Sequence, residues 1–280
     1  PLGKYTEGKI FRGILTGLNK AFIIDEITRR RLIQEDPRSA EIIKPFVVGK
    51  DIKRYQPPDN KGKYLILIPN GWTSRNSGEI RNKWKWFQEQ YPGLASHLSP
   101  FAQEGESRWD KGEYWWELRT CDYYQEFEKG KILYPEICGK PEFTFDDSYY
   151  YTNNKCFLIS LNDKYLLGIM NSKLNYFLFK QMLPKLRGGF FMPASVIFKE
   201  FPIRTINFSD PDDKARYDKM VTLVERMLAL HKQKAEVKTD HEKNLVERQI
   251  EATDKQMDAL VYELYGMTEE EIRIVEGKGK

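Results

Sequence analysis

The chain has only three cysteines in 280 residues, Cys121, Cys138 and Cys156. They are odd in number, far apart and without a Cys-x-x-Cys spacing, so neither a disulfide framework nor a zinc site is indicated. A reducing cytoplasm is the expected compartment. Histidine is equally scarce; His97, His231 and His241 stand singly and read as surface or capping residues rather than a ligand set. Long apolar runs are missing as well. The longest, Tyr64 to Pro69, is strand-sized and far short of the roughly 20 residues a membrane-spanning helix needs. The first residues lack the charged lead and apolar stretch of a secretory signal. Pro1-Leu2-Gly3 reads as the remnant of a cleaved tag, which makes an excised piece of a longer protein the expectation.

Several chemical signatures are absent too. A phosphate-cradling loop needs Gly-x-Gly-x-x-Gly or a Gly-Lys-Ser/Thr ending, and the glycines at 13 and 17 offer neither. An adenine amino-methyltransferase needs an Asn/Asp-Pro-Pro-aromatic turn to grip a flipped base. The one Pro-Pro here lies in Gln56-Pro57-Pro58-Asp59, with no amide before it and no ring after. Asp36 followed by Asp51-Ile52-Lys53 has the spacing of a metal-dependent nuclease. Such residues are commonplace where 31% of the chain is charged. No catalytic residue and no metal ligand is assigned.

What is present is a soluble globular composition, 40% hydrophobic, long enough for one large domain with an appendage or for two domains. Its charge is divided. Residues 1–205 carry 32 basic against 24 acidic residues, whereas Asn207 onward carries 13 against 17. A basic globular part is the footprint expected of a polyanion binder, DNA or RNA alike.

All six tryptophans lie between Trp72 and Trp116. From Trp72 to Phe87, Arg75, Arg81, Lys83 and Lys85 interleave with rings, which suits backbone contact with stacking, or else a solvated helix face over buried Trp84 and Phe87. The stretch from Arg108 to Glu136 holds Trp109, Tyr114, Trp115, Trp116, Tyr123, Tyr124 and Phe127. These rings read as core more readily than as a base-stacking platform.

The coarse pattern predicts strands at 21–25, 64–68, 132–136 and 156–161, with polar loop between the last two. Asp25 should cap a helix reaching about Gln34, and 165–179 should be one helix with a wide apolar face. Lys185 to Arg187, followed by two glycines, marks a turn where the backbone approaches something closely. The tail is predicted as two long helices, the first opened by Ser209-x-x-Asp212 and the second by Thr239-x-x-Glu242, and a short one opened by Thr268-x-x-Glu271. Apolar stripes on the long pair predict an antiparallel hairpin.

Six segments together resemble a known family. They are Gly13 to Asp25, Ile42 to Tyr55, Trp115-Trp-Glu-Leu-Arg119, Lys131-Ile-Leu-Tyr-Pro-Glu136, Tyr165 to Leu174, and Arg187-Gly-Gly189. In that order they are similar to the TaqI-like specificity domain, found at the C-terminal end of DNA adenine methyltransferases and fused restriction–modification enzymes. The tail, with Leu260-Val-Tyr-Glu-Leu-Tyr-Gly266, is similar to the end of those proteins. The resemblance implies a target recognition domain for double-stranded DNA, partnered by the parent's own N-terminal methyltransferase domain. S-adenosylmethionine, and magnesium where a nuclease is fused, would belong to that parent; no cofactor, small-molecule ligand or membrane is expected of this chain.

The resulting expectation is an α+β fold: a recognition domain over residues 4–205 and a helical hairpin with a short terminal helix over 206–280. Arg75, Lys83, Lys85, Lys185 and Arg187 are expected at phosphates. Asn76, Ser77, Asn153 and Asn154 are expected at base edges. The competing expectation is an interaction module in which the hairpin's apolar stripes dock another subunit.

Overall fold

The computed structural model describes residues 1–194 and 196–278. Two four-stranded sheets form its framework. Strands β1 (Ile10–Arg12), β8 (Cys156–Ile159), β5 (Lys131–Pro135) and β6 (Thr144–Asp146) lie in the antiparallel order β1-β8-β5-β6. Strands β2 (Ile23–Asp25), β4 (Lys63–Ile66), β3 (Ile43–Val47) and β7 (Tyr151–Thr152) make the second, parallel only between β3 and β7. A small hairpin pairs β9 (Lys185–Leu186) with β10 (Phe190–Phe191).

The first sheet is apolar on both faces, and the two-residue period of a strand sends alternate side chains into different cores. Ile132, Tyr134 and Ile159 enter one cluster, shared with Phe143, Leu166, Phe179 and the long helices of the tail. Leu133, Leu158 and Cys156 enter the other, with Phe22, Leu32, Phe87, Leu94, Trp115 and Trp116. That explains why β5 is buried at all five positions. Lys131 on β5 faces Asp146 on β6 with both side chains fully buried and 2.6 Å apart.

The sheets meet where the chain leaves β1. Gly13 N–H donates to Cys156 O at 2.8 Å and Ile14 N–H to Thr152 O at 2.7 Å, so one segment serves both sheets. A Cβ at Gly13 would stand 2.0 Å from Asn153 O, and one at Gly49 would stand 2.0 Å from Lys155 O. Only glycine permits these approaches.

The tail is an antiparallel pair, Pro211–Glu236 and Asp240–Leu264. Lys234 pairs with Glu247 near the tip at 2.8 Å and Arg216 with Glu263 near the base at 2.8 Å. Thr239 and Thr268 form the expected reciprocal caps with Glu242 and Glu271. The last helix, Glu269–Val275, is followed by residues 279–280, which lie outside the described residues. The apolar stripe is covered: Met220, Val224, Met227, Val246, Met257 and Leu260 are all buried. No described helix is long and apolar enough to cross a membrane.

Four local expectations need correction. Residues 19–22 are a helical turn, so the predicted strand shortens to Ile23–Asp25. The polar segment 143–154 contains β6 and β7, whose pairing partners are remote in sequence. The predicted helix over 165–179 is two, Lys164–Met170 and Lys173–Met182, because the Asn171 carboxamide pairs with both backbone groups of Phe143 and Ser172 caps the second helix. Asp210, rather than Ser209, caps the first long helix, with Pro211 at its first position. Leu2 is fully buried and its N–H donates to Phe201 O at 2.7 Å.

Candidate nucleic-acid interface

The aromatic region is built around a buried carboxylate. Glu117 accepts from Gly71 N–H (2.9 Å), Thr73 N–H (2.8 Å) and Glu113 N–H (3.1 Å). It thereby fixes the entry of the Trp72–Ser77 helix, where an anion also complements the free N–H groups of a helix start. Trp116 donates its indole N–H to Thr73 Oγ1 at 3.0 Å, and Trp84 lies 4.8 Å from both Trp115 and Trp116. The rings read as core are core at Trp115, Trp116 and Phe127. Trp109 is the exception, 98% exposed. The residue before it, Arg108, is buried and donates to Thr16 O and, at 2.7 Å each, to Trp115 O and Glu117 O. Asp110 pairs with Arg119 at 3.1 Å. The loop is pinned on both sides of an indole that faces solvent.

The sequence-predicted contact residues fall into three places. Arg75 and Asn76 are exposed on the Trp72–Ser77 helix; Asn76 Nδ2 donates to Trp72 O at 2.7 Å. Ser77 is buried and accepts from Lys83 Nζ at 2.9 Å, while Lys83 also reaches Gly78 O at 2.6 Å. That pair closes the turn between two helices. Lys85 is exposed and stands 3.9 Å from Glu89.

Asn153 and Asn154 form the turn from β7 to β8. Asn153 Oδ1 accepts from Gly49 N–H at 3.1 Å and its own N–H donates to Val47 O at 3.3 Å. Its side chain thus positions the Gly49–Lys50–Asp51 turn. Asn154 lies at the rim of a cavity of about 350 Å³ with Arg12, Arg119, Tyr123 and Tyr124. Arg12 Nε donates to Asn154 O at 2.8 Å.

Lys185 and Arg187 are exposed on the β9–β10 hairpin. This hairpin borders a groove that sequence reading did not find. A cavity of about 450 Å³ is lined by Gly49, Lys50, Lys53, Pro135, Ile137, Cys138, Gly139, Lys140, Glu142, Tyr176 and Phe190. Lys53 pairs with Glu142 at 3.2 Å, and Lys50 and Lys140 are exposed. The groove joins segments some 140 positions apart, and each lysine alone looks like ordinary surface.

The carboxylates with nuclease-like spacing are held by neighbouring cations. Asp51 is held by Lys61 (2.7 Å) and Lys63 (3.3 Å), and Asp36 by Arg38 (3.1 Å). Among the described residues, no group of three His, Cys, Asp or Glu is placed to hold a metal ion. Burial pushes the thiols of Cys138 and Cys156 up to about 12, far from the reactive thiolate range.

The α+β scaffold thus sets Lys50, Lys53 and Lys140 around one groove, with Phe190 at its lining. Residues 44–203 match the TaqI-like C-terminal specificity domain, and the chain belongs to that family. No curated protein matches the chain. Among solved structures, the type IIL restriction–modification enzyme MmeI in complex with DNA is similar in fold, with a TM-score of 0.62 at 12% identity. The likeness covers 96% of this chain and 34% of that one, so the chain spans about a third of that enzyme.

Proposed function

We propose that the chain reads double-stranded DNA as the target recognition domain of an adenine-specific DNA methyltransferase or a fused restriction–modification enzyme. Membership of the specificity-domain family over residues 44–203 carries this reading. The excess of basic residues before Asn207 and the groove of Lys50, Lys53 and Lys140 support it. So does the fold shared with an enzyme solved on DNA. Methyl transfer, with its S-adenosylmethionine, is assigned to a separate domain of the parent, since no residue of this chain is assigned to it.

In this reading cations fix the register on the phosphates and side chains at the rim read the base edges. Arg75, Lys85, Lys185 and Arg187 are exposed and suit the first role, joined by Lys50 and Lys140. Lys83, Ser77 and Asn153 are engaged by their own neighbours and act by holding the turns that carry the others. Asn154 remains for base edges, as does Asn76 through the carboxamide oxygen that its bond to Trp72 O leaves open.

The competing reading, a module docking a subunit through the helical hairpin, expects apolar stripes that exceed what one hairpin can bury. Those stripes are buried against the first core.

Fluorescence anisotropy with a random duplex across a salt series tests the proposal. Binding should weaken steeply with salt, and Arg187→Ala should bring the slope of log affinity against log salt down by about one unit. An unchanged slope removes Arg187 from the phosphate contacts; no binding at any salt concentration sinks the recognition reading.

A further inference from the structure

We propose that Phe190, seconded by Ile137, is an apolar wedge that enters the base stack of the bound duplex from the rim of the lysine groove; this rests on the DNA-recognition reading above. The hairpin that carries Phe190 is anchored by the next residue. Phe191 is buried and exchanges both backbone hydrogen bonds with Cys138, at 3.1 and 2.8 Å. Its ring stands edge-on to Phe179 at 6.1 Å and to Tyr176 at 6.3 Å. Strand alternation then turns Phe190 the other way, leaving it 46% exposed. The turn before it needs the left-handed region at Gly188 (φ +84°) and Gly189 (φ +79°). A Cβ at Gly188 would approach the Phe190 ring to 3.3 Å, so the missing side chain leaves that ring its place. One phenyl group fastens the hairpin and the other is held out from it.

The surroundings select the occupant. Phe190 and Ile137, the latter 43% exposed, both line the groove with Lys50, Lys53 and Lys140. Lys185 and Arg187 stand on the same hairpin. Within the groove lining, Glu142 answers only Lys53. The partner is therefore anionic. It must also offer flat apolar faces, because two exposed hydrocarbon side chains among the lysines would strip water from a phosphate without returning a hydrogen bond. Duplex DNA meets both demands when an apolar side chain parts a base step and bends the helix away from it. A wedge of this kind also accounts for an exposed ring that a purely phosphate-gripping groove has no use for.

The test uses the full chain, a random-sequence duplex with donor and acceptor dyes at its ends, and a matching single strand. Wild-type binding should change energy transfer between the ends, reporting a bend. Phe190→Ala should weaken binding by about tenfold, keep the wild-type salt slope and lose most of the bend. Phe190→Leu, apolar and bulky, should keep the bend. Thermal unfolding of both variants should match wild type, because the ring is partly solvated. Wild-type affinity and bend in Phe190→Ala would overturn the wedge while leaving the recognition reading intact. Tighter binding to the single strand, with the same loss in Phe190→Ala, would replace the wedge with stacking on an unpaired base. Failure of the wild-type chain to bind any duplex would remove both.

Discussion

At the scale of single residues, the tryptophans show how far chemistry depends on which side of a turn a side chain falls. Trp109 and Trp116 lie seven positions apart in one aromatic run, yet one is 98% exposed and the other is packed between Tyr114 and Trp84, each 4.8 Å away. Truncating a buried tryptophan removes its packing and leaves a void, at a cost of about 3–5 kcal/mol. An exposed side chain away from caps and ion pairs usually matters by no more than about 0.5 kcal/mol. Urea unfolding should therefore show Trp116→Ala losing about 3–5 kcal/mol and Trp109→Ala losing almost nothing. A loss above about 1 kcal/mol in Trp109→Ala would mean that the indole packs on the protein after all. Ring count and spacing do not distinguish the two residues. The burial of Arg108, the residue before Trp109, is decided by three carbonyl groups, one of which, Thr16 O, lies 92 positions away.

At the scale of elements, Arg54 ties the recognition domain to the hairpin beside the core they share. Arg54 donates to Asn171 O through Nε (3.2 Å) and Nη2 (2.8 Å), and through Nη1 to Asp254 Oδ2 (3.1 Å). Its guanidinium also lies 4.8 Å over the ring of Tyr55. Tyr55 is fully buried and holds a left-handed backbone (φ +57°), a conformation a large residue keeps only when its surroundings fix it. Arg54→Ala should cost about 1.5–3 kcal/mol in chemical denaturation. Arg54→Lys should not restore it, since an ammonium cannot span two carbonyl bonds and a carboxylate at once. Full rescue by lysine would show that charge alone matters there. The contrast between this joint and the helix caps explains what was legible in the sequence. Asp25, Thr239 and Thr268 cap as expected because a cap is completed within three residues. The break at Asn171 was hidden, because its partner, Phe143, is 28 positions away and the apolar period runs on through it. The lysine groove was hidden for the same reason, whereas the β9–β10 turn was announced by its paired glycines. The α+β class and the antiparallel hairpin were legible because periodicity and segment length decide them.

At the scale of the whole molecule, the sheet of β1, β8, β5 and β6 is the shared wall of two cores, and this predicts how the chain unfolds. Five of the six tryptophans, Trp72, Trp84, Trp86, Trp115 and Trp116, pack in or against the second core, the one that holds Phe22 and Phe87, so the change in emission on unfolding reports on that core. The long helices of the tail pack in the first and dominate the helical circular dichroism. The wall contains the fully buried Lys131–Asp146 pair, in which Lys131 also donates to Phe127 O at 2.6 Å and Asp146 accepts from Ser148 N–H and Tyr150 N–H at 2.9 and 3.0 Å. Burial pulls Lys131 down and pushes Asp146 up, and the pairing and hydrogen bonds oppose that drift. Because neither core can keep its wall without the other, fluorescence and circular dichroism should trace one coincident urea transition. Lys131→Met removes one partner and leaves a carboxylate buried without a cation, which costs about 3–5 kcal/mol. Both probes should then shift to lower urea together. Replacing the pair as Lys131→Met with Asp146→Asn should recover part of the loss, since no lone charge remains in the interior. If the fluorescence transition moves while the circular dichroism transition stays in place, the wall is not shared and the helical tail folds on a core of its own.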